Sequence, residues 1–350
     1  MSNEIGDHLG PRITALMTTF NAEKWVNETI ASILRQTISD FEFLIIDDGS
    51  SDNTVEQIKS FSDRRIRLVE HKDNKGVGTR LDEALDLIST PYIAKVDADD
   101  ISEPQRFEKQ LTFLEENSLA VVKCLISYFP DNENVKASAR FKHFKSEKQP
   151  LLNKITEPEQ IAENLSRWMC VLHTTYFART FAIKNARYPH VRIFEDYILF
   201  LRLKNAGFKI GCVNECLVNM RVSDNSTTMT LGPSQLEKGL SGIISEKWPD
   251  FEYQHRNKEV YIYGTGNLAQ TCLLCLKEKK IKVASFVERS PNVKTVSDKA
   301  EEKKVISLEQ YIAANEPKLL ILAAQPVRNE IALELEKNGL NEGSDFLVLA

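Results

Sequence analysis

The first third of the chain switches between two hydrophobic periods. Arg12–Met17 is an apolar run of strand length. Trp25, Ile30, Ile33 and Leu34 then recur at helical spacing, with Asn21 placed to cap that helix. Phe41–Ile46 predicts a second strand, which stops abruptly at Asp47-Asp48-Gly49-Ser50. Asp52 or Asn53 opens a helix through Val55, Ile58 and Phe61, and Ile66–Glu70 is a third, short strand. The polar loop Asp73-Asn74-Lys75-Gly76-Val77-Gly78 leads to a helical face of Leu81, Leu85 and Ile88. Tyr92–Val96 is a strand that runs into Asp97-Ala98-Asp99-Asp100. Pro104 suits the first turn of a helix carrying Phe107, Leu111 and Leu114. Strands separated by helices imply a largely parallel sheet covered on both faces.

The pattern weakens from about Ser127 to Pro158, where Asp131-Asn132-Glu133-Asn134 and Lys145-Ser146-Glu147-Lys148 read as solvated loop. It resumes near Ile161 and over Met169–Ala178, and Glu195–Asn205 predicts a helix stopped by Gly207. Ser223–Ser234, rich in Ser, Thr, Asn and Gly, reads as a mobile segment. A boundary falls at Trp248–Lys258, and a second α/β pattern follows. Its strands are Val260–Tyr263, Val283–Val287, Lys318–Ala323 and Phe346–Leu349, about half the number in a dinucleotide-binding fold. The expectation is an α/β chain of two domains, 1–250 and 258–350, the second near the low end of independent size.

Composition narrows the class. Hydrophobic residues are 42% and charged residues 27% of 350, which excludes collagen-like and disordered chains. A net charge of −5 gives no reason to expect a nucleic-acid partner. No window approaches the ~18–20 apolar residues of a membrane helix. The polar, acidic Met1–Asp7 does not read as a secretory signal. Six cysteines diluted over the chain then favour a reduced, cytoplasmic setting. Cys272-x-x-Cys275 falls inside a predicted apolar helix, so core packing explains it better than metal or redox chemistry.

The informative feature is where the acids sit. Asp47-Asp48 ends one predicted parallel strand, and Asp97 and Asp99 end another. Ligands of open α/β sheets bind outside the carboxyl ends of strands, so both clusters can face one cleft. Asp97-x-Asp99 suits a hard divalent cation that takes the rest of its oxygens from a substrate diphosphate. No Cys/His cluster accompanies the pair, which argues against zinc.

Read together, the motifs resemble those of a family 2 glycosyltransferase over the N-terminal ~230 residues. They are Thr18-Thr19-Phe20-Asn21-Ala22-Glu23, Ser32–Thr37, Asp47–Thr54, Asn74-Lys75-Gly76, Asp97–Asp100 followed by Pro104 and Arg106, and Glu195-Asp196-Tyr197 before Leu199, Leu201 and Arg202. The resemblance implies a GT-A fold, a mostly parallel sheet covered by helices. It implies inverting transfer of a hexosyl or N-acetylhexosaminyl group from a UDP-sugar to a saccharide or lipid-linked saccharide, with Mn2+ or Mg2+. Bacterial surface-polysaccharide assembly is the implied setting (capsule, exopolysaccharide or lipopolysaccharide), in the cytoplasm. A peripheral contact at the inner face of the membrane, through Lys142, Lys145 and Lys148, and a homo-oligomer stay open.

The resemblance also implies roles. Thr18 and Asp48 meet the uracil end of the donor, with Asn21 among the nucleotide-sugar contacts and Asp47 near the ribose or holding the loop. Asp97 and Asp99 form the metal motif, Asp99 as the direct ligand. Asp196 is the general base, and Glu195 orients the acceptor or the donor sugar. Lys75, Arg80 and Arg221 contact nucleotide or diphosphate. Arg221-Val222-Ser223 lacks the histidine that often follows this arginine by two residues. His173 sits where the family often presents a residue near the acceptor, and a buried, hydrogen-bonded histidine is an equal reading.

Other classes remain. A nucleotidyltransferase would want a glycine- and arginine-rich loop after the first strand, and a short-chain NAD-dependent sugar enzyme a Tyr-x-x-x-Lys-like pair near the tail's turn. Neither is evident. A non-catalytic nucleotide-sugar-binding or regulatory protein has no need of both Asp99 and Asp196. In the tail, Gly264-Thr265-Gly266-Asn267-Leu268-Ala269 lies between strand and helix like the phosphate-binding turn of a Rossmann half, with Glu288 at the ribose-acid position. A ligand-binding module on Gly264, Gly266 and Glu288 and a packing or oligomerisation module remain alternatives.

Overall fold

A computed structural model describes residues 10–224, 232–249, 255–293, 295–297, 302–324 and 327–349. Residues 1–9, the centre of the predicted mobile segment (225–231) and the middle of the predicted boundary (250–254) lie outside the described residues. The chain forms two compact units, one of residues 1–165 and 170–230, the other of 166–169 and 231–350.

The first unit is built on an eight-stranded sheet in the order β3-β2-β1-β4-β7-β6-β8-β5. The strands are β1 (Ile13–Thr19), β2 (Phe41–Asp47), β3 (Ile66–Glu70), β4 (Tyr92–Asp97), β5 (Ile101–Ser102), β6 (Val121–Pro130), β7 (Phe177–Arg179) and β8 (Ile210–Val222). β1, β2, β3 and β4 are parallel, and β6 is parallel to β8; β7 and β5 run antiparallel to their neighbours. The architecture is the mixed α/β sheet implied by the GT-A resemblance.

The chain winds outward from β1 through β2 to β3, then returns to β4 on the other side of β1. That reversal opens a crevice at the carboxyl ends of β1 and β4. The register fixes what faces it. Thr18 pairs with Ile46 on one side and Asp97 on the other, and Thr19 pairs with Asp47. Beneath them, Ile13, Ala15 and Met17 of β1 and Phe43 and Ile45 of β2 bury a core against Val26, Ile30 and Ile33. Burial of that apolar stripe holds the helix Val26–Leu34 on the sheet.

Several expectations change. Asn21 does not cap this helix: its backbone is left-handed (φ 50°), and Trp25 holds the N-cap position. The stretch read as loop contains short helices at Glu133–Ala137, Ala139–His143 and Gln149–Asn153. Asn132 and Ser138 cap the first two, by accepting the N–H groups of Val135 and Phe141. Among these helices only Val135 and Leu152 are buried, so no amphipathic stripe announces them. β8 carries a bulge at Asn214 and Glu215, where exposed polar residues break the apolar period.

The second unit has a six-stranded sheet, β11-β12-β10-β9-β13-β14. Its strands are β9 (Glu259–Tyr263), β10 (Val283–Glu288), β11 (Thr295–Ser297), β12 (Glu302–Ser307), β13 (Lys318–Leu322) and β14 (Phe346–Val348). All but β11 are parallel. The four-strand expectation is therefore two strands short, because Glu302-Lys303-Lys304 hides β12 behind polar residues. The helix Pro233–Lys247 also falls in this unit: Lys247 Nζ donates to the carbonyls of Val348 and Leu349 at 3.0 and 2.7 Å. By compactness the chain divides near residue 230. Cys272 and Cys275 are both buried in the helix Asn267–Glu278. Among the described residues no helix is long and apolar enough to cross a membrane.

Candidate active site

The loop after β2 is organised by its own acids. Asp47 is buried; one oxygen accepts from Thr19 Oγ1 (3.0 Å) and Ser50 Oγ (2.5 Å), the other from the N–H groups of Gly49 and Ser50. Ser50 Oγ in turn accepts from the N–H of Asn21, whose side-chain oxygen accepts from the N–H of Ser51. Asp47 and Asn21 thereby lace the β1 and β2 loops together. Half-buried Thr18 stands beside this lacing, in register with Asp97.

Asp48 binds the next loop. Its carboxylate accepts from the N–H groups of Lys75 (2.9 Å) and Gly76 (2.7 Å) and from Arg80 Nε (2.6 Å). Arg80 is buried, and its remaining contacts go to Asp73 and Glu83. The Lys75 ammonium pairs with Glu83 at the surface. Arg80 thus props the loops after β2 and β3 from within.

Asp97, Asp99 and Asp100 occupy three different environments. Asp97 keeps 32% of its side chain exposed, and its Oδ1 accepts from buried Lys95 Nζ at 2.5 Å. Burial alone would raise its pKa, but the lysine charge brings it below the ordinary carboxylate value. Asp99 is half-buried, and its pKa is pushed up to about 6 by burial and by the charge of Asp97. Asp100 is buried and accepts from the N–H of Arg221 at 2.8 Å; burial and its two acidic neighbours raise its pKa well above normal. Arg221 leaves only 7% of its side chain exposed. It donates to the Asp99 carbonyl and to Glu28, stacks over Phe129 and lies 3.6 Å from Asp131. Behind the strand, buried Arg106 donates to the carbonyls of Lys95 and Tyr176, to Ser102 and to Gln110, tying β4 to the elements around it.

The helix Glu195–Asn205 delivers the remaining acids. It begins after Phe194, a left-handed residue (φ 64°), a conformation a non-glycine side chain holds only when its surroundings dictate it. Those surroundings are visible. Arg192 binds the carbonyl and side chain of Asn74. Gly78 lies so close that a β-carbon there would stand 2.4 Å from the Pro189 carbonyl and 3.1 Å from Glu195 Cβ. The Asn74–Gly78 loop therefore seats the start of this helix.

Burial pushes Glu195 up to about 8, with the charge of Asp196 adding to it. Burial also lifts Asp196 to about 6, although its Oδ1 accepts the N–H of Tyr197. The Asp97 charge raises both groups and the Lys95 charge lowers both, so β4 acts electrostatically on the start of this helix. His173 bonds Tyr188 through Nε2 (2.9 Å) and lies 3.9 Å from Glu195. Burial drives its pKa down to about 3, so it is a neutral packing and hydrogen-bonding group.

Among the described residues no three Cys, His, Asp or Glu side chains are grouped to hold a metal ion. Asp97 and Asp99 are two carboxylates with incomplete protein coordination. That donor set fits Mg2+ or Mn2+ bound together with substrate phosphates, and does not fit an all-protein cage.

In the second unit, Gly264 ends β9 at φ 102°, and a β-carbon there would meet Ala324 Cβ at 3.1 Å. Gly266 is the N-cap of the helix Asn267–Glu278. Glu288 accepts from Thr265 Oγ1 at 2.8 Å.

The sequence pattern "Glycosyl transferase family 2" matches residues 14–191, just over half of the chain. The chain belongs to glycosyl transferase family 2. An "Uncharacterized glycosyltransferase" of Haemophilus influenzae is 29% identical over 234 residues, 65% of this chain and 70% of that relative. The "UDP-Glc:alpha-D-GlcNAc-diphosphoundecaprenol beta-1,3-glucosyltransferase WfgD" of Escherichia coli is 35% identical over 108 residues, 31% of this chain and 43% of that relative. A solved structure, S. aureus TarS 1-349 in complex with UDP-GlcNAc, gives a TM-score of 0.49 at 14% identity, covering 67% of this chain and 66% of that one. Membership makes the chain a glycosyltransferase.

Sequence reading left out the parts that support the acids. Lys95 was legible as the one charge inside the otherwise apolar run Tyr92–Val96. The roles of Asp100, Gly78 and the Arg192 clamp exist only once distant segments meet.

Proposed function

We propose that the chain moves a sugar from a UDP-sugar to a hydroxyl of a saccharide or lipid-linked saccharide, with inversion and with a divalent cation, during surface-polysaccharide assembly at the cytoplasmic side. The observation that carries this reading is that Asp97, at the end of β4, lies within electrostatic reach of the Glu195-Asp196 pair. The motifs at Thr18, Asp48 and Asp97 support a uridine nucleotide, and so does the similarity to the E. coli glucosyltransferase WfgD, whose name specifies UDP-Glc and a diphosphoundecaprenol-linked acceptor.

The division of labour follows from the environments. Asp196, ionised above about pH 6, accepts the proton of the acceptor hydroxyl. The acceptor oxygen then bonds the anomeric carbon from the face opposite UDP, and the carbon–oxygen bond to the diphosphate breaks. Glu195, lifted to about 8, is protonated at neutral pH and donates a hydrogen bond to a sugar oxygen, orienting it. Asp99, with Asp97, would hold the cation, which when bound offsets the charge gathering on the diphosphate. Asp47, Asp48, Arg80 and Arg221 hold the loops that shape the donor site. The test is UDP release from a panel of nucleotide-sugars with Mn2+ and then with EDTA. Release from one UDP-sugar that EDTA abolishes is the expected result; no turnover of any donor, and no UDP binding with or without Mn2+, would overturn the reading.

A further inference from the structure

β4 carries a lysine at the heart of the donor site. Lys95 is completely buried, yet its strand neighbours are Ile93, Ala94 and Val96. Its ammonium donates to the Val96 carbonyl at 2.7 Å and to Asp97 Oδ1 at 2.5 Å. The Arg106 guanidinium, also buried, holds the Lys95 carbonyl from behind, so the strand segment bearing the lysine is itself anchored. The lysine charge reaches Asp97, Asp99, Glu195 and Asp196. An unpaired ammonium in such a place would be costly, and the Asp97 carboxylate is its paired counter-ion.

We propose that Lys95 is a resident counter-ion that clamps Asp97 and keeps the crevice a poor cation site until a nucleoside diphosphate arrives. The inference rests on the reading of Asp97 and Asp99 as the cation-facing pair. The clamp occupies one Asp97 oxygen with a charge-assisted hydrogen bond, while among the described residues no cationic side chain forms an ion pair with Asp99. The ammonium also repels a second cation. At an effective dielectric constant of about 20, one unit charge at ~10 Å alters the affinity of another by roughly tenfold or more. A diphosphate carries the negative charge and oxygen ligands that offset this repulsion, so cation and donor bind together. Lys95 is thus a positioning residue: it acts on substrate and cation through Asp97.

The test is electron paramagnetic resonance titration of the full chain with Mn2+, without and with UDP. Wild type should bind Mn2+ weakly alone and much more tightly with UDP. Lys95→Met should bind Mn2+ alone at least tenfold more tightly than wild type, and Lys95→Arg, which keeps the charge, should not. If Lys95→Met does not fold, judged by circular dichroism, Lys95→Gln replaces it under the same criteria. A folded, charge-free variant that binds Mn2+ alone as weakly as wild type overturns the role of Lys95 while leaving the cation reading intact. Wild type that binds no Mn2+ even with UDP overturns the cation reading, and the inference with it.

Discussion

The two units offer the same topological opportunity and use it differently. Each has a mostly parallel sheet that reverses its winding beside its first strand, at β1/β4 in one and β9/β13 in the other. At the first reversal stand Asp97 and Asp99, whose pKa values, like those of Glu195 and Asp196, are displaced by burial and by neighbouring charges. At the second, the turn is self-contained. Glu288 accepts from Thr265, and Gly264 packs against Ala324. A switch point supplies a crevice; displaced pKa values make one of the two crevices the candidate site.

The comparison can be broken first at the base. Asp196→Asn should lower the turnover of sugar transfer by roughly 10²–10⁴-fold while UDP binding persists. Wild-type transfer by a folded Asp196→Asn protein would remove the reason for treating the first crevice as the reactive one. Asp99→Asn should lower transfer by a further distinct route, roughly 10²–10³-fold, with loss of Mn2+ stimulation.

Stability sharpens it next. Asp97→Asn leaves buried Lys95 without its counter-ion and should lower unfolding free energy by about 3 kcal/mol in urea denaturation. Asp99→Asn, which removes a carboxylate already disfavoured by burial, should leave stability unchanged or improved. Equal effects of the two substitutions would contradict the different environments assigned to them.

The pH dependence has a definite sign. Glu195 at about 8, and Asp99 and Asp196 at about 6, hold protons in the folded state that the unfolded chain has already released. Folding stability of the metal-free chain should therefore be highest below about pH 4 for these groups and fall as pH rises through 6 and 8. Glu195→Gln should flatten the part of that fall above pH 6. The smallest effect belongs to the second unit. Thr265→Val removes one hydrogen bond to Glu288, should cost about 1 kcal/mol, and should leave transfer unchanged.

Much of this contrast was legible before the structure. Asp47-Asp48 and Asp97-x-Asp99 each stop an apolar run abruptly, and such stops place them at strand ends facing one crevice. What escaped was tertiary. Asn21 looked like a helix cap but holds Ser51 across the β1 and β2 loops. Arg221 sits on β8, whose bulge breaks the apolar period, and its meeting with Asp99 and Asp100 spans more than half of the unit's sequence. β12 and the capped helices near 133–153 lack the stripe that periodicity detects. Positions whose role depends on a remote partner leave no local signal.

The most direct test of the central claim is calorimetric titration of UDP into the intact chain with Mn2+ and with EDTA, repeated for Asp99→Asn and Thr265→Val. The account expects binding that requires both Mn2+ and Asp99 and is indifferent to Thr265. UDP binding of equal strength in Asp99→Asn and in EDTA, or binding that is lost only in Thr265→Val, would contradict it and move the nucleotide site away from the β1/β4 crevice.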